Sequence, residues 1–263
     1  MTTPPLAFTA PIGPEGAPLV ALGPSLGTST ILWDRVLPAL AGAYRVTAWD
    51  LPGHGASAPV LEAFTVADLA DGVADGLALL DADRILYAGV SLGGAVGLEL
   101  LLRHPGLVAG AVIIASGAQL GEPSAWHERA AQVRAQSTSS VIIGSAQRWF
   151  APGSIEREPD LSGRLLHALQ DADDESYAAC CEALARYDVR DRLAEVAAPV
   201  LALWGEHDGV APQAKSIEIA EGVRDGTATR IEGAAHLPPV EQPEETARAL
   251  LDFFDGLSGR MLR

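Results

Sequence analysis

Short apolar runs alternate along this chain with longer stretches in which apolar side chains recur every three or four positions. The runs Leu19–Leu22, Tyr44–Trp49, Ile85–Val90, Val108–Ala115 and Val200–Trp204 carry few charges and show no strict polar alternation. A strand covered on both faces reads this way, because neither face meets water, so these runs predict buried parallel strands. The less apolar segment Thr227–Ile231 is strand-like as well. Thr65–Leu80 places Val66, Leu69, Val73, Leu77 and Leu80 on one apolar face of a helix. Ser91–Arg103 reads as another helix, stopped by Pro105 and Gly106, and a last helix begins near Pro243 and runs through Leu250 to Phe254. Alternating strands and helices predict an α/β fold with a doubly wound, mostly parallel sheet.

The middle of the chain breaks the alternation. From Gly121 to Arg190 Ala, Gln, Arg and Ser dominate, Leu165, Leu166 and Leu169 are spaced as on a helix, and the strand pattern returns at Pro199. The expected organisation is an α/β core formed by residues 1–120 and 191–263, with a helical cap over 121–190 inserted into it.

Bulk properties narrow the partners. The chain has 263 residues, 48% hydrophobic and 20% charged, which suits one large domain with a substantial core. The formal charge is 18 − 34 = −16. Such a surface repels nucleic acid and anionic membrane, so neither is an expected partner, and an anionic substrate needs a local cation inside its pocket. Cys180 and Cys181 are sequence neighbours, where a disulfide would be strained; they read as helix-packing residues in a reducing compartment. The amino-terminal MTTPPLAFTA lacks a basic region followed by an apolar run, and no apolar stretch approaches membrane-spanning length. A soluble, cytoplasmic protein is expected. No residue cluster at metal-ligand spacing stands out, so no metal or organic cofactor is expected.

Candidate chemistry begins at Gly89-Val90-Ser91-Leu92-Gly93, a G-x-S-x-G between a buried strand and a helix. That setting resembles the nucleophile elbow of the α/β hydrolases, in which a sharp turn lifts the serine hydroxyl above the sheet and flanking glycines permit close backbone approach. A serine hydroxyl needs a base to take its proton. Of six histidines, His236 lies in a loop between the strand-like Thr227–Ile231 and the last helix, where the chain order nucleophile, acid, histidine puts the base. His54, in Asp50-Leu-Pro-Gly-His-Gly, reads as structural. Asp208, just past the strand Val200–Trp204, is the candidate for orienting the imidazole, with Glu206 and Asp225 as rivals. The oxyanion donors are assigned to the backbone N–H groups of Leu92, next to the nucleophile, and of Leu26, counted back from Trp33 in the loop after the first strand.

That loop reads Ser25-Leu-Gly-Thr, then Trp33-Asp34, and resembles the oxyanion loop of the 3-oxoadipate enol-lactonases, which lack the His-Gly found in many α/β hydrolases. Trp126-His-Glu-Arg129 with Val133-Arg134, then Arg148-Trp149-Phe150, then Tyr177 to Leu184 with Tyr187-Asp188-Val-Arg190, resemble that family's cap. The likeness covers nearly the whole chain. It departs at Leu51-Pro52, where the family usually has an arginine, and at Leu203-Trp204, where a bulky indole is expected to reshape the pocket. The resemblance implies hydrolysis of 3-oxoadipate enol-lactone to 3-oxoadipate, in the β-ketoadipate pathway of aromatic degradation, through a Ser-His-Asp triad and an acyl-enzyme. Arg148 is the first candidate for the lactone's carboxylate and Arg129 the second, with Trp149, Trp126 and Ser25 as further substrate contacts. Fused relatives carry a decarboxylase domain after the hydrolase; with its last residue at Arg263, this chain is expected to lack that activity. The alternatives are another carboxylesterase, lactonase or carbon–carbon bond hydrolase of the same fold, or a non-catalytic small-molecule receptor.

Overall fold

The computed structural model describes residues 3–80 and 82–261. Among them six strands form one sheet: β1 (Leu19–Gly23), β2 (Arg45–Ala48), β3 (Ile85–Val90), β4 (Val108–Ile114), β5 (Val200–Gly205) and β6 (Gly226–Ile231). The order is β2-β1-β3-β4-β5-β6 and every neighbouring pair is parallel. Each apolar run of the sequence is a strand. β1, β3, β4 and β5 are buried along their full length, as strands covered on both faces must be, whereas the edge strand β6 is largely accessible. Isolated antiparallel bridges join Phe8 to Trp49 and Ile12 to Val46.

The crossover helices pack on the sheet through their apolar stripes. Val66–Ala78 is started by a reciprocal capping box, in which Thr65 and Asp68 each accept the other's backbone N–H. It packs on Leu92–Arg103, which is buried along nearly its whole length between that helix and the sheet. The last helix, Pro243–Met261, reaches back to β4, where an added Cβ on Gly110 would lie 2.2 Å from Leu257. Between β4 and β5 lie helices Pro123–Gln136, Ile142–Trp149, Ser154–Arg157, Pro159–Asp171 and Asp174–Ala185, with no strand among the described residues. The helix Asp174–Ala185 buries Cys180 and Cys181, both free thiols. None of the described helices is long and apolar enough to cross a membrane.

The winding reverses between β1 and β3, since the chain runs from β1 outward to β2 and then returns to β3 on β1's other side. A crevice opens past the strand ends at such a switch point. Ser25 and Leu26 follow β1 and Ser91 follows β3, so the fold brings them to one place.

Candidate active site

Ser91 joins β3 to helix Leu92–Arg103 with φ 54° and ψ −114°, a conformation that costs a non-glycine residue about 1–3 kcal/mol. Three hydrogen bonds hold it. Its N–H donates to Ile114 O at 2.9 Å, and its carbonyl accepts the Ser116 hydroxyl at 2.7 Å and the Ala95 N–H at 3.0 Å. Both flanking glycines are required by contact. A Cβ on Gly89 would lie 2.3 Å from Gly93 O, and one on Gly93 would lie 2.6 Å from Pro24 O. The Gly93 N–H donates to that same Pro24 carbonyl at 2.9 Å, tying the elbow to the loop after β1.

His236 follows β6 and is buried. Its Nδ1 lies 3.0 Å from Asp208 Oδ2 and 3.2 Å from Oδ1. Asp208, just beyond β5, also accepts the N–H groups of Val210 at 2.7 Å and Ala211 at 3.1 Å. Burial opposes ionisation of the carboxyl, yet the His236 charge and these donors outweigh it and hold the carboxyl below its usual range. An ionised Asp208 accepting the Nδ1–H leaves Nε2 as the ring nitrogen able to take a proton. Of the rival acids, Glu206 is turned away to the Gly233 N–H and Arg230.

In the loop after β1, Thr28 N–H and hydroxyl both close on Ser25 O, and Gly27 N–H donates to His54 Nε2 at 3.2 Å. His54 Nδ1–H donates to Pro52 O at 2.8 Å. Full burial drives the His54 pKa down to about 4, so the ring is a neutral strut beneath the loop. Its structural assignment therefore stands on geometry. Among the described residues nothing accepts the Leu26 N–H, and Leu92, first in its helix, has no acceptor one turn back.

A cavity with about 330 Å³ of empty space is lined by Ser91, His236, Ser25, Leu26, Val210 and, from the helical insert, Trp126, Arg129, Arg148, Trp149 and Tyr177. Arg129 Nε donates to Tyr177 Oη at 2.8 Å, another of its nitrogens donates to Ser145 Oγ at 2.8 Å, and its guanidinium lies 5.6 Å from the Tyr177 ring centre. Its hydrogen-bond partners are neutral. Among the described residues Arg148 has no hydrogen bond or ion pair. Burial, then the neighbouring Arg129 charge, lowers its pKa below the ordinary arginine value. Two guanidinium groups thus line the cavity, neither of them in an ion pair among the described residues and with no carboxylate in the cavity lining, in a chain of net charge −16. Beyond them, a groove with about 880 Å³ of empty space shares Trp126, Arg129, Arg148 and Val210 with the cavity and adds the carboxylate of Glu128 to its wall.

The structure brings Ser91, His236, Ser25, Leu26, Trp126, Arg129, Arg148 and Trp149 together at this cavity, with Asp208 behind His236, and leaves the rival acids Glu206 and Asp225 out of its lining. Trp204 is a correction: it is 8% exposed on β5 and does not line the cavity. Side chains within a strand stand perpendicular to the sheet and meet the covering layers, not the crevice past the strand ends. Tyr177 and Val210 line the cavity and were not nominated. Val210 is within reach of sequence reasoning, two residues past Asp208; Tyr177 stands in the stretch that resembles the enol-lactonase cap, but nothing in the sequence says that its ring turns to the cavity.

Residues 20–249 match the model of the alpha/beta hydrolase family, and the chain belongs to that family. It is a hydrolase by that membership. It is 33% identical over 235 residues to 3-oxoadipate enol-lactonase 2 of Acinetobacter baylyi, covering 89% of this chain and 88% of that one. The crystal structure of the enol-lactonase from Burkholderia xenovorans superposes with a TM-score of 0.89 at 28% identity, covering 95% of this chain and 96% of that chain. A pimeloyl-[acyl-carrier protein] methyl ester esterase of Neisseria meningitidis is 29% identical, covering 92% of this chain and 95% of the esterase.

Proposed function

We propose that the protein is a serine hydrolase that opens 3-oxoadipate enol-lactone to 3-oxoadipate, within the β-ketoadipate route of aromatic catabolism. The observation that carries this reading is the pair of guanidinium groups, in no ion pair among the described residues, in the cavity that holds Ser91 and His236. The enol-lactonase relatives supply the substrate class. Ser91 Oγ attacks the lactone carbonyl as His236 Nε2 takes its proton, and Asp208 holds the imidazole by Nδ1–H and stabilises the imidazolium. The Leu26 and Leu92 N–H groups receive the oxyanion. The ring oxygen leaves as an enol, protonated by His236, and the enol tautomerises to the ketone. Water then attacks the acyl-enzyme, with His236 as base again, and releases the acid.

Arg148 binds the substrate carboxylate, Arg129 lies beside it, and Trp126, Trp149 and Ser25 wall the pocket. Residues 121–190 act as a cap over the core formed by 1–120 and 191–263.

The outer groove favours a second reading, an ester with a longer acyl chain, for which the esterase relative provides the precedent. A single comparison separates them: the loss of ultraviolet absorbance of the enol-lactone, run against a panel of simple and long-chain esters, with Ser91→Ala alongside. Fast lactone loss that vanishes in the variant supports the lactonase. Ser91-dependent ester cleavage without lactone turnover would keep the triad and overturn the substrate. Failure of a fluorophosphonate to label folded protein at Ser91 would favour a binding protein.

A further inference from the structure

Glu241 is a buried carboxylate that the chemistry above does not use. It ends the short helix Pro238–Glu241, just after the loop that carries His236. Its Oε1 accepts the Ala151 N–H at 2.6 Å and the Ser154 hydroxyl at 2.7 Å, and its Oε2 accepts the Ala235 N–H at 2.7 Å. Ala235 precedes His236, whose own N–H donates to Trp149 O at 3.2 Å. The backbone at the histidine is therefore fastened twice to the segment Trp149–Ser154, once directly and once through the carboxylate. That segment starts beside Arg148, which lines the cavity.

We propose that Glu241 is a positioning residue for His236: it clamps the histidine loop to the segment bearing Arg148 and Trp149, so that base and anion contact are held as one unit. The inference rests on His236 being the base. Burying a carboxylate is costly unless donors fill its acceptor sites, and here donors from two segments 84 residues apart (235 − 151) fill them. Burial does push the Glu241 carboxyl up from its usual range, against the pull of those donors. A role in packing alone would not call for an ionisable group. An amide is no substitute, since one end of it donates. Gln at 241 could satisfy Ala151 and Ser154, or Ala235, and would set N–H against N–H on the other side.

The test compares wild type with Glu241→Gln, Ser154→Ala and His236→Ala on the enol-lactone and on a neutral ester. Competent sites are counted by fluorophosphonate labelling carried to completion, and thermal melts are recorded in parallel. A base displaced by about 1 Å loses up to about 100-fold in rate, so Glu241→Gln is expected to lose about 10- to 100-fold in kcat per labelled site on both substrates, with KM for the neutral ester unchanged. Ser154→Ala, which removes one of the two donors on the insert side, is expected to lose several-fold in kcat. A lowered melting temperature with unchanged kcat per labelled site would make Glu241 merely structural and overturn the proposal. If Glu241→Gln does not fold, Ser154→Ala decides alone, and an unchanged kcat there overturns it. A His236→Ala enzyme that keeps its rate would sink the base assignment instead, whichever way Glu241→Gln behaves.

Discussion

Replacing Arg148 by Ala tests the proposed substrate most directly, because among the described residues the side chain makes no hydrogen bond or ion pair. A carboxylate about 4 Å from a guanidinium gains about 4 kcal/mol where the effective dielectric constant is about 20. Arg148 is open to solvent on one side, so water screens part of this. What remains is about 1.5–2.5 kcal/mol, the range of a hydrogen bond to a charged group. At about 1.4 kcal/mol per tenfold, KM for the lactone is expected to rise about 10- to 60-fold, with Arg129 keeping the loss toward the lower end. The contact is made to a carboxylate that does not react, so it is equally strong in ground and transition states and kcat is expected to hold. The melting temperature is expected to stay level or rise slightly, since Arg148 has no hydrogen bond or ion pair among the described residues and suffers repulsion from Arg129. The assay is the decay of lactone absorbance over a substrate range, beside a neutral ester whose KM is expected to be unchanged. Lactone KM within twofold of wild type would refute the carboxylate contact. Arg129→Ala is the poorer probe, because it also frees Tyr177 and Ser145.

Two further outcomes follow from the local geometry. Gly93→Ala puts a methyl 2.6 Å from Pro24 O and 2.7 Å from Gly23 C, both main chain, so the Ser91 turn and the loop after β1 must part; a loss of about 1–3 kcal/mol in denaturant stability together with most of the activity is expected, and wild-type values of both would count against the packing argument. His54 excludes a proton in the folded state down to about pH 4, whereas the unfolded chain binds one from about pH 6.5. Stability is thus full above that range and is lost as pH falls through it, by up to about 3 kcal/mol. Urea midpoints at pH 7 and pH 4.5 are expected to differ less in His54→Gln than in wild type, and an equal difference would refute the neutral-strut assignment.

The strands and the elbow were legible because their determinants are local. Burial on both faces writes an apolar run at each strand, and G-x-S-x-G between a strand and a helix is a contiguous unit with its own steric demand. Chain order then pointed to Asp208 and His236, and the structure sets them 3.0 Å apart. Glu206 was excluded only by packing: two residues from Asp208 on the same loop, it faces Gly233. The indole of Trp204 misled for a related reason, since a residue's place in the chain does not say which layer its side chain enters.

What the sequence by itself determined is the α/β alternation, the helical stretch between β4 and β5, the strand-to-helix turn at Ser91 and the order of the candidate triad. These follow from periodicity, backbone sterics and short motifs, each acting over a few residues. The tertiary structure alone decided that Arg129 and Arg148 line one cavity with Ser91, that His54 props the Gly27 N–H, and that Glu241 joins Ala235 to Ala151. Such contacts depend on where distant segments come to rest in the packed chain. Their energies rest on desolvation and on which donors remain unpaired, quantities that exist only once the chain has closed around them.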